Sequence, residues 1–207
     1  MTIAPFTRLT GAAAPLLRPN IDTDVIIRIE HLTQCPKEQL GRYAFEALKY
    51  LENGILDPEF VLNQDIFLDA PVLLAGPNFG CGSSREHAVW ALQGGGVRCI
   101  IAPSFGDIFY ANCFENGMLP IKLPMDIIDS LAQQCANGDF LTIDLDHCLI
   151  ISPAREQIEF AVDTMRRDML LQGLDNIALS LKYTQQIRAW QERDQQQRSW
   201  AWQPIEP

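Results

Sequence analysis

The sequence predicts a single α/β domain in which a mixed β-sheet is covered by helices. Between residues 71 and 123, apolar runs typical of buried strands alternate with helical patterns. This alternation is typical of parallel strands connected by helices. Between residues 141 and 162, short runs of alternating apolar and polar residues indicate a small antiparallel meander. A chain of 207 residues is long enough to bury one such core.

The segment before residue 71 contains one clear helical pattern. An early turn at residues 18–24 precedes an apolar run at residues 25–27. From residue 36 to about residue 51, apolar residues recur at helical spacing: Leu40, Ala44, Leu48 and Leu51. Proline suits the first turn of a helix and Asn-Gly suits its end, so Pro36 and Asn53-Gly54 predict the limits of this helix.

The predicted sheet and its covering helices follow. Strands are predicted at residues 71–75, 97–102 and 119–123, and the meander at residues 141–145, 148–151 and 158–162. Helices are predicted from Ser84 through Leu92, at residues 106–116, 126–135 and 164–172. Gly173 suits the left-handed end of the last of these. From Tyr183 the pattern is helical but polar, and residues 195–202 are expected to be loosely ordered. We therefore expect a domain over residues 1–185 and a tail over residues 186–207.

The composition excludes two classes of partner. The net charge of −10 argues against a nucleic-acid-binding surface, because such surfaces are basic. No stretch approaches the roughly 20 apolar residues that cross a bilayer. The first ten residues contain one basic residue and no long apolar run, so we expect no secretory signal and a cytoplasmic location.

The cysteines and histidines do not form a metal-binding pattern. The six cysteines include no Cys-x-x-Cys pair, and the three histidines are equally scattered. Zinc and iron–sulfur sites usually show short ligand spacings. We therefore predict no metal site in this chain, and expect the thiols to be small, mostly buried hydrophobic groups.

The most informative segment is Asn-Phe-Gly-Cys-Gly-Ser-Ser-Arg-Glu-His at residues 78–87, between a predicted strand and a predicted helix. Glycines allow backbone amides to approach a ligand, and a helix N-terminus attracts anions. Arg85 could clamp a carboxylate with two hydrogen bonds, and Ser83 and Ser84 add hydroxyl groups. The segment therefore predicts a carboxylate or phosphate site.

Other interpretations of this segment remain open. Ser83 and Glu86 have the spacing of a capping box, which needs no catalysis. A dinucleotide site is weakly supported, because the third glycine and the ribose-binding acid are missing. Cys81 as a nucleophile with His87 as its base is weaker still, since no third residue orients the pair.

Residues 78–92 resemble the signature of the swivelling domain of the aconitase superfamily, in its isopropylmalate dehydratase form. Three further blocks agree in order: residues 20–27, 101–109 and 173–177. The resemblance covers about residues 5–185. It implies a single swivelling β/β/α domain with a mixed sheet covered by helices, as in the aconitase C-terminal domain. It also implies one subunit of a hydro-lyase in leucine biosynthesis that isomerises 2- and 3-isopropylmalate by dehydration and rehydration.

The resemblance assigns roles to residues and to a partner. A large subunit is expected to hold a [4Fe–4S] cluster, while this chain holds no cofactor. Ser83 resembles the base that takes the proton alpha to a carboxylate, and Asp24 the acidic residue that orders the site. Ser84 and Arg85 resemble the residues that bind the carboxylates of a small dicarboxylate substrate.

The chain departs from the family pattern in one region. Arg28 replaces a proline that relatives usually have, and Lys37 falls about where an arginine usually binds substrate. We expect Lys37 to take that role, although a lysine lacks the planar fork of an arginine. Citramalate and 2,3-dimethylmalate are alternative substrates, and a non-catalytic module with this fold is a further alternative.

Overall fold

In the computed structural model, which describes residues 3–82 and 85–202, the strands form one mixed sheet. The strands are β1 Arg8–Leu16, β2 Val72–Ala75, β3 Cys99–Ala102, β4 Leu119–Lys122, β5 Phe140–Asp144, β6 Leu149–Ile151 and β7 Gln157–Glu159. Their order across the sheet is β4-β3-β2-β1-β5-β6-β7. Strands β1 to β4 pair in parallel, whereas β5, β6 and β7 pair antiparallel with their neighbours. The predicted parallel half and the predicted meander are both confirmed.

The helices lie between and beyond these strands. They are α1 Thr23–Ile26, α2 Ile29–Gln34, α3 Glu46–Lys49, α4 His87–Gly94, α5 Asp107–Glu115, α6 Met125–Gln134, α7 Thr164–Gln172, α8 Asn176–Leu181 and α9 Thr184–Gln197. Short 3-10 segments occur at Lys37–Tyr43, Val61–Asn63, Asp65–Phe67 and Ser199–Trp202. None of the helices in the described part of the chain is long and apolar enough to cross a membrane.

Strand β1 joins the two halves of the sheet and was not predicted from the sequence. It pairs in parallel with β2 on one side and antiparallel with β5 on the other. Its sequence, Arg-Leu-Thr-Gly-Ala-Ala-Ala-Pro-Leu, has few of the β-branched and aromatic residues that favour strands. Small residues are required here, because a Cβ atom at Gly11 would overlap the ring of Pro71. Close packing therefore outweighs strand propensity.

The sheet is buried on both faces, and successive residues of β2 belong to opposite core clusters. Leu73 and Ala75 pack in the cluster that includes residues of α4, while Val72 and Leu74 pack with residues of α6. This two-sided burial explains why the parallel strands are continuous apolar runs. Each buried large aliphatic side chain contributes about 1.5–3 kcal/mol to folding.

The long helix predicted over residues 36–51 is wrong. The chain instead forms the 3-10 segment Lys37–Tyr43 and the short α3. A Cβ atom at Gly41 would overlap the backbone of Gly94, so the two segments touch along their main chains. Between the pieces, Phe45 adopts a left-handed conformation with φ of 57° while its ring is buried. Burial of this ring offsets the cost of a backbone conformation that ends the helix.

Helix α4 begins at His87, later than the predicted start at Ser84. Glu86 occupies the position before the helix, and its Oε1 accepts a hydrogen bond from Asn116 Nδ2 at 2.6 Å. The capping-box prediction, which placed Glu86 inside the first turn, is therefore wrong for this residue. Glu86 instead connects the start of α4 to the end of α5.

The predicted helices at residues 106–116, 126–135 and 164–172 are confirmed as α5, α6 and α7. Gly173 ends α7 with φ of 64°, as predicted. Beyond it, Asp194 of α9 accepts hydrogen bonds from Arg198 Nε at 2.7 Å and from Trp202 Nε1 at 2.9 Å. These bonds attach the last described turn to α9. The division into a domain at residues 1–185 and a tail at residues 186–207 stays a prediction.

Candidate active site

The segment at residues 20–27 and the turn at residues 78–82 are joined by main-chain hydrogen bonds at the end of β2. Gly80 N donates to Ile21 O at 2.7 Å, and Thr23 N donates to Cys81 O at 2.9 Å. Asn78 Nδ2 also donates to Asn20 Oδ1 at 2.8 Å. The turn at residues 78–82 is thereby fixed beside α1. The carboxyl ends of parallel strands are the usual position of ligand sites in open α/β sheets.

The turn at residues 78–82 requires its glycines. Gly80 and Gly82 have φ of 70° and 95°, a region that side chains disfavour. A Cβ atom at Gly80 would also overlap the ring of Phe109, which is buried in the core. The turn can therefore lie directly on α5 only if residue 80 has no side chain.

Helix α1 presents Asp24 at the edge of this turn. Asp22 caps the helix, because its Oδ1 accepts a hydrogen bond from Val25 N at 2.8 Å. Thr23 and Ile26 are buried and anchor the single helical turn. The side chain of Asp24 is exposed to solvent. The buried residues of α1 thus hold the backbone of Asp24 in place while its carboxylate faces outward.

Arg85 and Asp24 form an ion pair, with 2.7 Å between Arg85 Nη2 and Asp24 Oδ1. The exposed fraction is 25% for the arginine side chain and 61% for the aspartate side chain. An ion pair with this much solvent contact contributes about 0–1 kcal/mol to stability. Its main effect is therefore to orient the guanidinium group. Arg85 precedes α4 and does not lie in its first turn, contrary to the sequence-based expectation.

Ser83 and Ser84, the predicted base and a predicted substrate-binding residue, lie outside the described residues. Their roles therefore stay predictions. In the sequence they connect Gly82 to Arg85, two residues that the structure does describe.

A cleft of about 370 Å³ lies beside the Asp24–Arg85 pair. Charged and apolar residues line it together: Asp22, Asp24, Val25, Arg28, Ile29, Glu30, Ala47 and Arg85. Guanidinium groups suit carboxylates, and the aliphatic side chains suit an alkyl substituent. The cleft is thus suited to a small, branched carboxylic acid. Sequence reasoning noted Arg28 as a departure from the family but assigned no role to it.

Lys37, a predicted substrate-binding residue, is not one of the residues that line this cleft. Its Nζ lies 4.3 Å from the centre of the Trp90 ring, which gives a cation–π contact. The indole Nε1 of Trp90 in turn donates to Asn116 Oδ1 at 2.9 Å. Lys37 thus packs on α4, and its predicted role toward the substrate stays a prediction.

The thiols and imidazoles form no nucleophilic centre in the part of the chain that the structure describes. The ring of His87 packs on Trp90, with 4.6 Å between ring centres, and among the described residues its buried Nδ1 has no hydrogen-bond partner. All six cysteines are free, and Cys99, Cys113 and Cys135 are buried. Burial raises the pKa of the Cys99 and Cys113 thiols, and raises that of Cys135 to about 11. These three thiols are hydrophobic core groups, as predicted.

No metal site can be assembled from the described residues. Across residues 3–82 and 85–202, no group of three or more His, Cys, Asp or Glu side chains lies close enough to hold a metal ion.

Comparisons with known proteins agree with this fold. The aconitase C-terminal domain family matches residues 3–126. The chain is 47% identical over 199 residues to the 3-isopropylmalate dehydratase small subunit of Rhodospirillum centenum, which covers 95% of this chain and 98% of that one. It is 48% identical over 202 residues to the small subunit of the same name from Gluconobacter oxydans, covering 96% and 95% of the two chains.

A solved structure supports the same assignment. The crystal structure of 3-isopropylmalate dehydratase from Methanocaldococcus jannaschii shares 30% sequence identity and superposes with a TM-score of 0.64. The match covers 89% of this chain and 99% of that chain. The predicted fold class is therefore confirmed. The chain belongs to the aconitase C-terminal domain family and, within it, to the 3-isopropylmalate dehydratase small subunits.

Proposed function

We propose that this chain is the small subunit of a two-subunit hydro-lyase that interconverts 2-isopropylmalate and 3-isopropylmalate by dehydration and rehydration, a step of leucine biosynthesis. The Asp24–Arg85 pair carries this proposal. It presents an oriented guanidinium beside a cleft of about 370 Å³ that also has aliphatic walls. The alternative of a non-catalytic module does not explain why an arginine is held at such a cleft.

Arg85 is the residue proposed to bind a substrate carboxylate. A guanidinium can give a carboxylate two parallel hydrogen bonds, which fix the position of the acid as well as bind it. Asp24 contacts Nη2 of Arg85 and contributes to the orientation of the guanidinium group. The main-chain bonds from Gly80 to Ile21 and from Thr23 to Cys81 hold the turn at residues 78–82 beside α1, which contains Asp24. Preorganisation of this kind lowers the cost of ordering the site when substrate binds.

Ser83 is the residue proposed to take the proton alpha to the carboxylate. A serine is an effective base only as its alkoxide, which becomes a hydroxyl when it takes the proton from the substrate carbon, so the alkoxide form needs stabilisation by nearby positive charge before the step. Arg85, two residues further along the chain, supplies a permanent positive charge. Ser84 is proposed to add a hydrogen bond to the substrate. A water-poor site would strengthen both interactions.

The partner is proposed to be a large subunit with a [4Fe–4S] cluster. When bound there, the cluster supplies the Lewis acid that activates the leaving hydroxyl group. The described residues of this chain provide no ligand set of their own for such a group. The groups proposed for this chain are Arg85, which binds a carboxylate, and Ser83, which takes the proton. We place the complex in the cytoplasm, because six free cysteines suit a reducing compartment.

The substrate proposal can be tested against the alternatives citramalate and 2,3-dimethylmalate. Citramalate carries a methyl group where 2-isopropylmalate carries an isopropyl group, and two extra buried carbons are worth about 1.6 kcal/mol. The assembled enzyme should therefore have a kcat/KM at least about tenfold higher for 2-isopropylmalate. A higher kcat/KM for citramalate or 2,3-dimethylmalate would contradict the proposed substrate but leave the reaction class intact.

A further inference from the structure

A cavity of about 210 Å³ lies beside the C-terminal end of α4, at the opposite end of that helix from Arg85. Its walls are mostly apolar. Phe45 and Leu92 contribute buried side chains to these walls, whereas Leu56 and Leu68 are exposed. The cavity therefore leads from the surface into the core. Among the described residues, none lines both this cavity and the cleft beside Arg85.

Lys49 is the only charged residue among the described residues that line this cavity. Across residues 3–82 and 85–202, its ammonium group takes part in no ion pair and no hydrogen bond. Burial lowers the pKa of Lys49, and no neighbouring carboxylate acts in the opposite direction. The described part of the chain thus provides a partly buried cation at an apolar cavity and no anion to pair with it.

The main chain of Lys49 is fixed by hydrogen bonds on both sides. Lys49 N donates to Phe45 O at 2.9 Å, and Asp57 N donates to Lys49 O at 2.8 Å. Asn63, which also lines the cavity, donates from Nδ2 to Lys49 O and to Asp57 O, each at 2.8 Å. A side chain that projects from an anchored backbone binds a ligand with less loss of conformational entropy than one on a free loop.

A purely structural role for Lys49 would be to neutralise the C-terminal end of α4, where carbonyl groups favour cations. The chain itself supplies donors for this helix end. Gly95 N donates to Ala91 O at 3.0 Å, and Gly96 N donates to Gln93 O at 2.9 Å. The ammonium group of Lys49 is therefore not required to satisfy these carbonyl groups.

We propose that this cavity binds a small aliphatic monocarboxylate, with its carboxylate on the ammonium group of Lys49 and its alkyl chain against the apolar walls. An apolar cavity of about 150 Å³ can hold benzene, so about 210 Å³ suits a ligand of about eight non-hydrogen atoms. A second carboxylate in the cavity would be buried without a cation, which is costly. The ligand class therefore differs from the dicarboxylate proposed for the cleft beside Arg85.

The test compares 4-methylpentanoate with 4-methylpentanamide, a neutral ligand of the same size, by calorimetry on the full chain. The wild type should bind 4-methylpentanoate with a Kd of about 1 mM or lower, an affinity within reach of a ligand of this size. In Lys49→Met the Kd of 4-methylpentanoate should rise about 10- to 100-fold, because a charge-assisted hydrogen bond is lost. The Kd of the amide should change by less than about threefold.

Lys122→Met is the matched control. It removes the same charge from an exposed lysine on β4 that does not line the cavity, so the Kd of 4-methylpentanoate should stay unchanged. Ala70→Leu enlarges a side chain in the cavity wall and should weaken both ligands at least about tenfold by occupying their space. Thermal melting shows whether each variant is folded. If Ala70→Leu does not fold, the comparison of Lys49→Met with Lys122→Met decides alone.

Three results would overturn the inference. The first is an absence of saturable binding of 4-methylpentanoate to the wild type up to about 10 mM. The second is equal weakening of the acid and the amide in Lys49→Met. The third is loss of binding when a 3-isopropylmalate dehydratase large subunit is added, which would assign the cavity to the contact between the two subunits. Turnover of 2-isopropylmalate is a separate readout, so failure of the proposed function is distinguishable from failure of this site.

Discussion

Arg85 Nη2 lies 2.7 Å from Asp24 Oδ1, and this pair joins two segments that are about sixty residues apart in the sequence. The turn at residues 78–82 and helix α1 are held together by the bonds from Gly80 to Ile21 and from Thr23 to Cys81. The pair therefore lies beside two segments whose main chains are hydrogen-bonded to each other. Its solvent exposure makes it weak as a stabilising contact, so its value lies in where it places the guanidinium.

Arg85→Ala should separate stability from substrate binding. We expect the free energy of unfolding to fall by no more than about 1 kcal/mol, because the ion pair is partly exposed. In the assembled enzyme the KM should rise about 10- to 100-fold, since a charge-assisted bond to the substrate is lost. Thermal melts and steady-state kinetics on the same preparation measure both effects. Unchanged kcat and KM would show that Arg85 lies outside the substrate site.

Ser83→Ala should remove most turnover while the two subunits still assemble. If Ser83 takes the proton, kcat should fall by at least about 100-fold, the range expected for loss of a general base. If the serine only stabilised the chain locally, the variant would melt earlier but turn over normally per folded complex. Size-exclusion chromatography of the mixed subunits, followed by kinetics on the complex peak, distinguishes the two roles.

Gly80→Ala should destabilise the protein through a steric clash with Phe109. The matched control is Gly54→Ala, because Gly54 has φ of 77°, close to the 70° of Gly80, but no atom within 4 Å of an added Cβ. Both variants incur similar backbone strain, so the difference between them isolates the clash. We expect Gly80→Ala to lose about 1–3 kcal/mol more than the control in urea unfolding. Equal losses would show that the turn can move away from α5.

The attachment of the C-terminal turn should depend on pH. The Trp202 indole, as the largest cause, and Arg198 hold the pKa of the Asp194 carboxyl below its ordinary value of 3.8. A lowered folded-state pKa means that the contact is present above pH 3.8 and is lost as the pH falls through the folded-state value.

Trp202 fluorescence should therefore change below about pH 3.8, where the Asp194 carboxylate becomes protonated. In Asp194→Asn the same change should already be present at pH 7. Identical fluorescence of the wild type and Asp194→Asn at pH 7 would argue that this hydrogen bond does not hold the turn. A background in which Trp90, Trp190 and Trp200 are replaced by Phe leaves Trp202 as the single tryptophan.

The sequence allowed prediction of elements whose signals are local. Strands β2 and β3 are continuous apolar runs because both faces are buried, and α7 ends at a left-handed glycine. Strand β1 has no such signal, because Gly11 must lack a side chain beside Pro71 and because its buried residues Ala13 and Ala14 are small. The helix predicted at residues 36–51 is wrong for a related reason. The main chain at Gly41 packs against the main chain at Gly94, a contact between residues far apart in the sequence that local periodicity does not reveal.

The site shows the same limit. The residues at 78–87 could be selected from their glycines and the arginine, and the family resemblance named Asp24 as their companion. The contact of Asp24 with Arg85 arises only when the turn is bonded to α1. Lys37 was selected by its position in the sequence, whereas the fold packs it on Trp90 and brings Arg28 to the cleft. Alignment of positions along a chain cannot predict which of two nearby cations faces a cavity.

The most direct test of the central claim compares this chain alone, a cluster-loaded 3-isopropylmalate dehydratase large subunit alone, and their mixture. The measurement is the rate at which each sample converts 2-isopropylmalate to 3-isopropylmalate. The account predicts turnover only in the mixture, with a rate that saturates as this chain is added and is lost when Ser83→Ala replaces it. Turnover by either subunit alone, or undiminished turnover with Ser83→Ala, would contradict the division of the active centre between the two chains.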